Sequence, residues 1–88
     1  MKNWMLISCF ERDIDRPLFF NTKDEAFKAM VEDFANTTCM TVEEAMEVYN
    51  SGEHVYCEVT DNEAWCNEAW CNNRGNYDWK IFNIGGDI

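Results

Sequence analysis

The chain has 88 residues and a formal net charge of −10, from 17 acidic and 7 basic side chains. This length has room for one domain, residues 1–88, and a hydrophobic content of 47% is sufficient for one core. The charge excludes nucleic acid and anionic membranes as direct partners. No apolar run approaches the ~20 residues of a membrane helix, and we expect a cytoplasmic protein without a secretory signal.

The negative charge is concentrated in the middle of the chain. Residues 1–28 and 74–88 each carry as many basic as acidic side chains, so the whole net charge lies in residues 29–73. That segment contains ten carboxylates and neither Lys nor Arg. Such a field attracts basic surfaces. The simpler interpretation is that the acidity only keeps the protein in solution.

The first predicted element is a strand, because residues 3–10 (NWMLISCF) are apolar, rich in β-formers and followed by charged residues. Residues 11–17 indicate a turn or loop, and residues 18–20 lead into a helix. Residues 22–25 (TKDE) form a capping box at the start of this helix, which should end near Asn36. Its apolar stripe, at helical spacing, consists of Phe27, Met30, Val31 and Phe34.

A second helix follows, since residues 41–44 (TVEE) form another capping box and Gly52 is a typical left-handed residue at a helix end. Its apolar stripe consists of Val42, Ala45, Met46 and Tyr49. Both stripes are typical of helices that pack against a core. The opposite faces carry carboxylates, which are our first candidates for a partner-binding surface: Glu32, Asp33, Glu43, Glu44 and Glu47.

After Gly52 the apolar residues alternate, which predicts a strand through residues 55–59. Asp61 and Asn62 are turn residues, and residues 79–84 (WKIFNI) form the last strand. The change of period from 3.6 to 2 predicts an α+β fold. One N-terminal strand and two helices should precede an antiparallel meander of two or three strands, with both helices on one sheet face.

Residues 63–72 (EAWCNEAWCN) repeat five residues in tandem. In a strand, a repeat of odd length places Trp65 and Trp70 on opposite faces of the sheet. We expect one tryptophan in the core and Trp70, beside the loop of residues 72–76, on the surface as an anchor for a partner. A helix is the alternative, because residues 60–63 also have the form of a capping box.

The five cysteines are an odd number, and without a secretory signal we expect reduced thiols. Cys66 and Cys71 are separated by four residues, but there is no second pair to complete a zinc site. His54 and Cys57 point to opposite faces of a strand, so they do not form a nucleophile–base pair. No phosphate-binding loop or nucleotide motif is present. We therefore expect no metal, no cofactor and no enzymatic activity.

Residues 68–84 (EAWCNNRGNYDWKIFNI), following two capped helices, resemble small proteins of bacterial phages and mobile elements that share a terminal strand of the type YDW-hydrophobic. Anti-CRISPR inhibitors come from such elements and are often short, acidic and without enzymatic motifs. The resemblance implies an acidic inhibitor in the cytoplasm of a host bacterium. Its partner would be a basic, nucleic-acid-binding protein, with a CRISPR effector as the first candidate.

The alternative function is a regulatory or interaction module of a mobile element, homodimeric or not, whose acidity serves only solubility. Strong salt dependence of partner binding would separate the two functions. The inhibitor hypothesis adds further candidate residues to the helical carboxylates: Glu58, Glu63, Glu68 and Trp70.

Overall fold

The computed structural model describes residues 3–10, 13–51, 57–66 and 76–85, which form two helices and one antiparallel sheet of six strands. The predicted α+β fold is therefore confirmed. In chain order the elements are β1 (Trp4–Phe10), β2 (Asp13–Ile14), β3 (Leu18–Phe20), α1 (Lys23–Thr38), α2 (Val42–Ser51), β4 (Cys57–Val59), β5 (Glu63–Cys66) and β6 (Tyr77–Asn83).

The first and last strands are neighbours in the sheet, whose order is β2-β1-β6-β5-β4. They pair along their full lengths, from Trp4 opposite Asn83 to Phe10 opposite Tyr77. β4, β5 and β6 form the predicted antiparallel meander. The turn predicted at Asp61 and Asn62 joins β4 to β5.

Two short strands, β2 and β3, share the outer edge of β1, with Ile14 opposite Cys9 and Phe20 opposite Trp4. The prediction of a loop over residues 11–17 is therefore wrong at Asp13–Ile14, and residues 18–20 are a strand. Pro17 lies between the two strands and has no N–H to donate to a sheet, so the edge is interrupted there. Segments of two and three residues are too short for an alternating pattern to reveal them.

The capping box of α1 is confirmed, because the Glu25 N–H donates to Thr22 Oγ1 at 3.2 Å and the Thr22 N–H donates to Glu25 Oε1 at 3.3 Å. α1 continues to Thr38, two residues beyond the predicted end. Thr38 is buried, and its hydroxyl donates to the carbonyl of Phe34 at 2.7 Å. The next residue, Cys39, adopts a left-handed conformation with φ of 62° and ends the helix.

The capping box of α2 is also confirmed. The Glu44 N–H donates to Thr41 Oγ1 at 3.1 Å, and the Thr41 N–H donates to Glu44 Oε1 at 2.9 Å. Three residues of the predicted apolar stripe pack on the core, namely Ala45, Met46 and Tyr49, whereas Val42 is 46% exposed and Val48 is buried instead. Gly52, the predicted end of this helix, lies outside the described residues.

The core lies between the two helices and one face of the sheet. α1 packs against β1, β3, β5 and β6, and α2 packs against α1 and β4. Trp79 on β6 is at the centre, and its ring meets Phe34 of α1 edge to face at 5.6 Å between centroids. The buried sheet residues share one face: Leu6, Cys57, Val59, Ala64, Cys66, Trp79 and Ile81. Neither helix in the described part of the chain has the length and apolar character to cross a membrane.

Candidate functional site

The predicted site residues are divided between two opposite sides of the molecule. Five carboxylates lie on α1 and α2, whereas Glu58 and Glu63 belong to β4 and β5. Both sheet carboxylates alternate with buried neighbours, so they point away from the helices. The residues therefore do not form one continuous surface. The remaining two, Glu68 and Trp70, lie outside the described residues.

Three helical carboxylates point outward into solvent, and we call them the helical acidic surface: Glu32, Glu43 and Glu47. At 100° per residue, Glu43 and Glu47 lie on the side of α2 opposite its buried residues. Among the residues that the structure describes, these three make no hydrogen bond or ion pair, which leaves their oxygens available to a partner. On α1 the charge is diluted, since Lys28 is exposed one turn before Glu32.

The other two helical carboxylates stabilise the fold. Asp33 Oδ2 accepts a hydrogen bond from the indole Nε1 of buried Trp79 at 2.6 Å, and thereby ties α1 to β6. Glu44 closes the capping box of α2. The TVEE motif predicts the capping role of Glu44 from the sequence. The partner of Asp33 is 46 residues away, so no local pattern indicates that hydrogen bond.

Trp65 lies on the sheet face that points away from the helices. It is half-buried, and its Nε1 donates to Glu58 Oε1 on the adjacent strand at 3.0 Å. Because residues 63–66 form a strand, the helical alternative is wrong for them. We expected one tryptophan in the core and Trp70 on the surface, which assigns the core position to Trp65. That assignment is wrong, because Trp65 pairs with Glu58 on the face that points away from the helices.

The outward face of the sheet is largely apolar along β1, and we call it the open sheet face. Met5 and Ile7 are half-buried there, and Met5 is paired with Phe19 on β3 and Phe82 on β6. Phe19 is 45% and Phe82 is 39% exposed. The sequence contained the signal: residues 4–10 are apolar almost without alternation, which is typical of a strand covered on both faces.

Grooves of about 310 and 520 Å³ run between α1 and the β2–β3 edge, over Ser8, Asp15 and Asp33. Their walls carry both signs of charge, because Arg16 faces the carboxylates. Within the described ranges, no group of three or more His, Cys, Asp or Glu side chains is placed to hold a metal ion.

Two cysteines, Cys57 and Cys66, are buried cross-strand partners with free thiols. Burial raises the pKa of both to about 11, and for Cys66 the proximity of Cys57 and Asp78 adds to that shift. They are protonated at neutral pH and therefore are poor nucleophiles. Cys39 is disulfide-bonded, so the expectation that all cysteines are reduced is wrong for this residue. Cys71 lies outside the described residues.

Two surfaces therefore remain as candidates for binding, the helical acidic surface and the open sheet face. The first offers outward carboxylates that have no partner within the described ranges, and the second offers exposed aromatic and aliphatic side chains. Comparison of the chain with protein-family models, with curated proteins and with solved structures found no match.

Proposed function

We propose that this chain is a binding protein rather than an enzyme, and that it occupies a basic, nucleic-acid-binding surface on another protein. A CRISPR effector is the first candidate for that protein. The observation that carries the proposal is the outward side of α2, where Glu43 and Glu47 are exposed in a segment, residues 29–73, without a single Lys or Arg.

The spacing of these carboxylates suits such a surface. Glu43 and Glu47 are one turn apart, about 6 Å along the helix axis. A DNA strand presents a phosphate every ~3.4 Å of axis, so the two carboxylates span roughly two phosphate steps. A cluster of Lys and Arg that is spaced to contact successive phosphates would therefore find negative charges at a comparable spacing on α2.

The electrostatic contribution should appear mainly in the association rate. Exposed charges steer a protein of opposite charge toward its site, and they add less to the lifetime of the complex. Salt screens this attraction, because the Debye length falls to ~8 Å at physiological ionic strength. Affinity for a basic partner should therefore fall steeply as salt increases.

The test is inhibition of DNA cleavage by a panel of purified CRISPR effectors loaded with guide RNA. Changing both Glu43 and Glu47 to Lys should abolish inhibition, and circular dichroism should show an intact fold. Glu44 is left unchanged because it caps α2. The matched control changes Asp13 and Asp15 to Lys and alters the net charge equally. Asp13 belongs to β2 and Asp15 follows that strand, so both lie at the other end of the sheet from α2.

Loss of inhibition in the α2 variant together with retention in the β2 control supports the proposal. Equal inhibition by the α2 variant and the original protein would contradict the role of the helical acidic surface. A panel in which the original protein inhibits no effector would contradict the choice of a CRISPR effector as target.

A second candidate function is an interaction module whose acidity serves only solubility, and the open sheet face favours it. That surface is apolar and can bind a partner without using the carboxylates. Partner binding that stays constant between about 50 and 200 mM salt would favour this function, since an electrostatic complex loses affinity steeply over that range.

A further inference from the structure

The hairpin of β4 and β5 places two free thiols opposite each other in the core. Cys57 and Cys66 are cross-strand partners in the register of this hairpin. Their side chains are 0% and 1% exposed, and both belong to the core between the sheet and the helices. Neither thiol takes part in the helical acidic surface or in the open sheet face.

The register decides whether the two sulfur atoms can bond. At the end of the hairpin the Thr60 N–H donates to the carbonyl of Glu63 at 2.8 Å, so these two residues are a hydrogen-bonded pair. Hydrogen-bonded and non-hydrogen-bonded pairs alternate along an antiparallel ladder, and Cys57–Cys66 is the third pair from Thr60–Glu63. It is therefore a non-hydrogen-bonded pair, in which the Cα atoms are ~4.5 Å apart and the side chains approach closely. A disulfide needs a Cα separation of ~4.4–6.8 Å, and the pair meets this requirement near its lower limit.

We propose that Cys57 and Cys66 are a reversible redox lock, which closes to a cross-strand disulfide with a small-molecule disulfide, such as oxidised glutathione, as the oxidant. One protein thiolate attacks a sulfur of the oxidant, and a mixed disulfide forms as the first glutathione thiolate leaves. The second protein thiolate attacks the mixed disulfide at the protein sulfur, which closes the cross-strand bond and releases the second glutathione thiolate. The two released thiolates take up the two protons that the protein thiols lost. Two protein thiols are thus oxidised as one disulfide is reduced, and excess reduced glutathione reverses both steps.

Access to the thiols sets the rate of this exchange. Both side chains are buried, and burial raises the pKa of each thiol to about 11, so the folded state presents almost no thiolate at neutral pH. β4 has three residues and is the last strand in the order of the described sheet, so its separation from β5 breaks few hydrogen bonds. Exchange should therefore occur in molecules in which β4 has opened, and it should be slow at neutral pH.

The cross-strand bond links the strands that support the two helices. β4 packs against α2, whereas β5 packs against α1 and β6. A disulfide between β4 and β5 holds the edge strand in place and restricts the unfolded chain by closing a loop of about ten residues. Closure should therefore shift the folding equilibrium toward the folded state by ~100-fold, which corresponds to a rise in Tm of roughly 10–15 °C. This inference is independent of the proposed inhibitor function, because it uses none of the helical carboxylates.

Peptide mapping after redox equilibration tests the proposal. The full chain is equilibrated at about pH 8 in buffers of reduced and oxidised glutathione, blocked with iodoacetamide, unfolded and cut after glutamate. This digestion places each of the five cysteines on a separate peptide, with Cys57 in residues 54–58 (HVYCE) and Cys66 in residues 64–68 (AWCNE). The expected product is these two peptides joined by a disulfide, and it should disappear when reduced glutathione is in excess.

The matched control is Cys57→Ala/Cys66→Ala, which lacks both thiols and keeps Cys39, whose own disulfide also responds to the buffer. Oxidation should raise the Tm of the original chain by roughly 10–15 °C more than it raises the Tm of the double variant. The proposal is overturned if oxidation gives no joined peptide, if the reaction stops at a mixed disulfide with glutathione, or if both chains show the same shift in Tm. The peptide map is made on the original chain, so it decides the question even where the double variant folds poorly.

Discussion

Removal of the Asp33 carboxylate should destabilise the protein through a single buried donor. Trp79 is 2% exposed, and its Nε1 donates to Asp33 Oδ2 at 2.6 Å. In Asp33→Ala this N–H loses its charged acceptor, and a buried polar group left unsatisfied costs ~1–3 kcal/mol. Asp33 itself is exposed, so water can reach the site and replace part of the bond. We therefore expect a loss of about 1–2 kcal/mol.

The assay is reversible thermal or urea unfolding followed by circular dichroism. For a domain of this size, each kcal/mol corresponds to a fall in Tm of about 4–8 °C. The matched control is Glu32→Ala at the adjacent exposed position, which should change stability by no more than ~0.5 kcal/mol. Asp33→Asn keeps an acceptor oxygen without the charge and should give an intermediate value.

A double-mutant cycle isolates the hydrogen bond from other effects of the substitution. In a Trp79→Phe background the indole donor is absent, so Asp33→Ala should cost almost nothing there. If Asp33→Ala is as stable as Glu32→Ala, or costs the same in both backgrounds, the reasoning about this bond is refuted.

Two further predictions follow from the capping of α2 and from the buried thiols. Thr41→Ala removes the side-chain acceptor of the Glu44 N–H and should cost about 1 kcal/mol in unfolding experiments, whereas Glu47→Ala, outside the capping box, should change little. Stability should fall as pH rises from 9.0, the ordinary thiol pKa, toward about 11, because the folded state holds Cys57 and Cys66 protonated while the unfolded chain releases those protons. Cys57→Ala/Cys66→Ala should be less stable at pH 8 but should lose less stability over that interval, and an equal loss would exclude the thiols as its cause.

Local sequence signals predicted the features that depend on neighbouring residues. Both capping boxes join residues three apart, and the stripe of α1 follows from its own spacing. The predicted stripe of α2 is wrong at Val42. Burial of that residue depends on how α2 packs against β4, which is a tertiary property. β2 and β3 exist because the edge of β1 is available to them, so their own short sequences could not predict them.

The candidate site was predicted in residue type but not in arrangement. The exposed helical carboxylates are where the periodicity placed them, yet Glu58 and Glu63 lie on the other side of the molecule. A strand reverses its side-chain direction at every residue, so only the position of the buried neighbours fixes the side. The hydrogen bonds of Asp33 and Glu58 to tryptophans require the register of the sheet, and composition cannot supply it.

Salt distinguishes the two candidate functions, because only the first depends on attraction between charges. Binding of the helical acidic surface to a basic protein is an attraction between unlike charges, and screening weakens it. Binding of a partner through the apolar residues of the open sheet face, Met5, Phe19 and Phe82, does not use the helical carboxylates, so screening changes it little. One salt titration of partner binding between about 50 and 200 mM should therefore lower the affinity if the helical acidic surface forms the complex, and leave it unchanged if the open sheet face does.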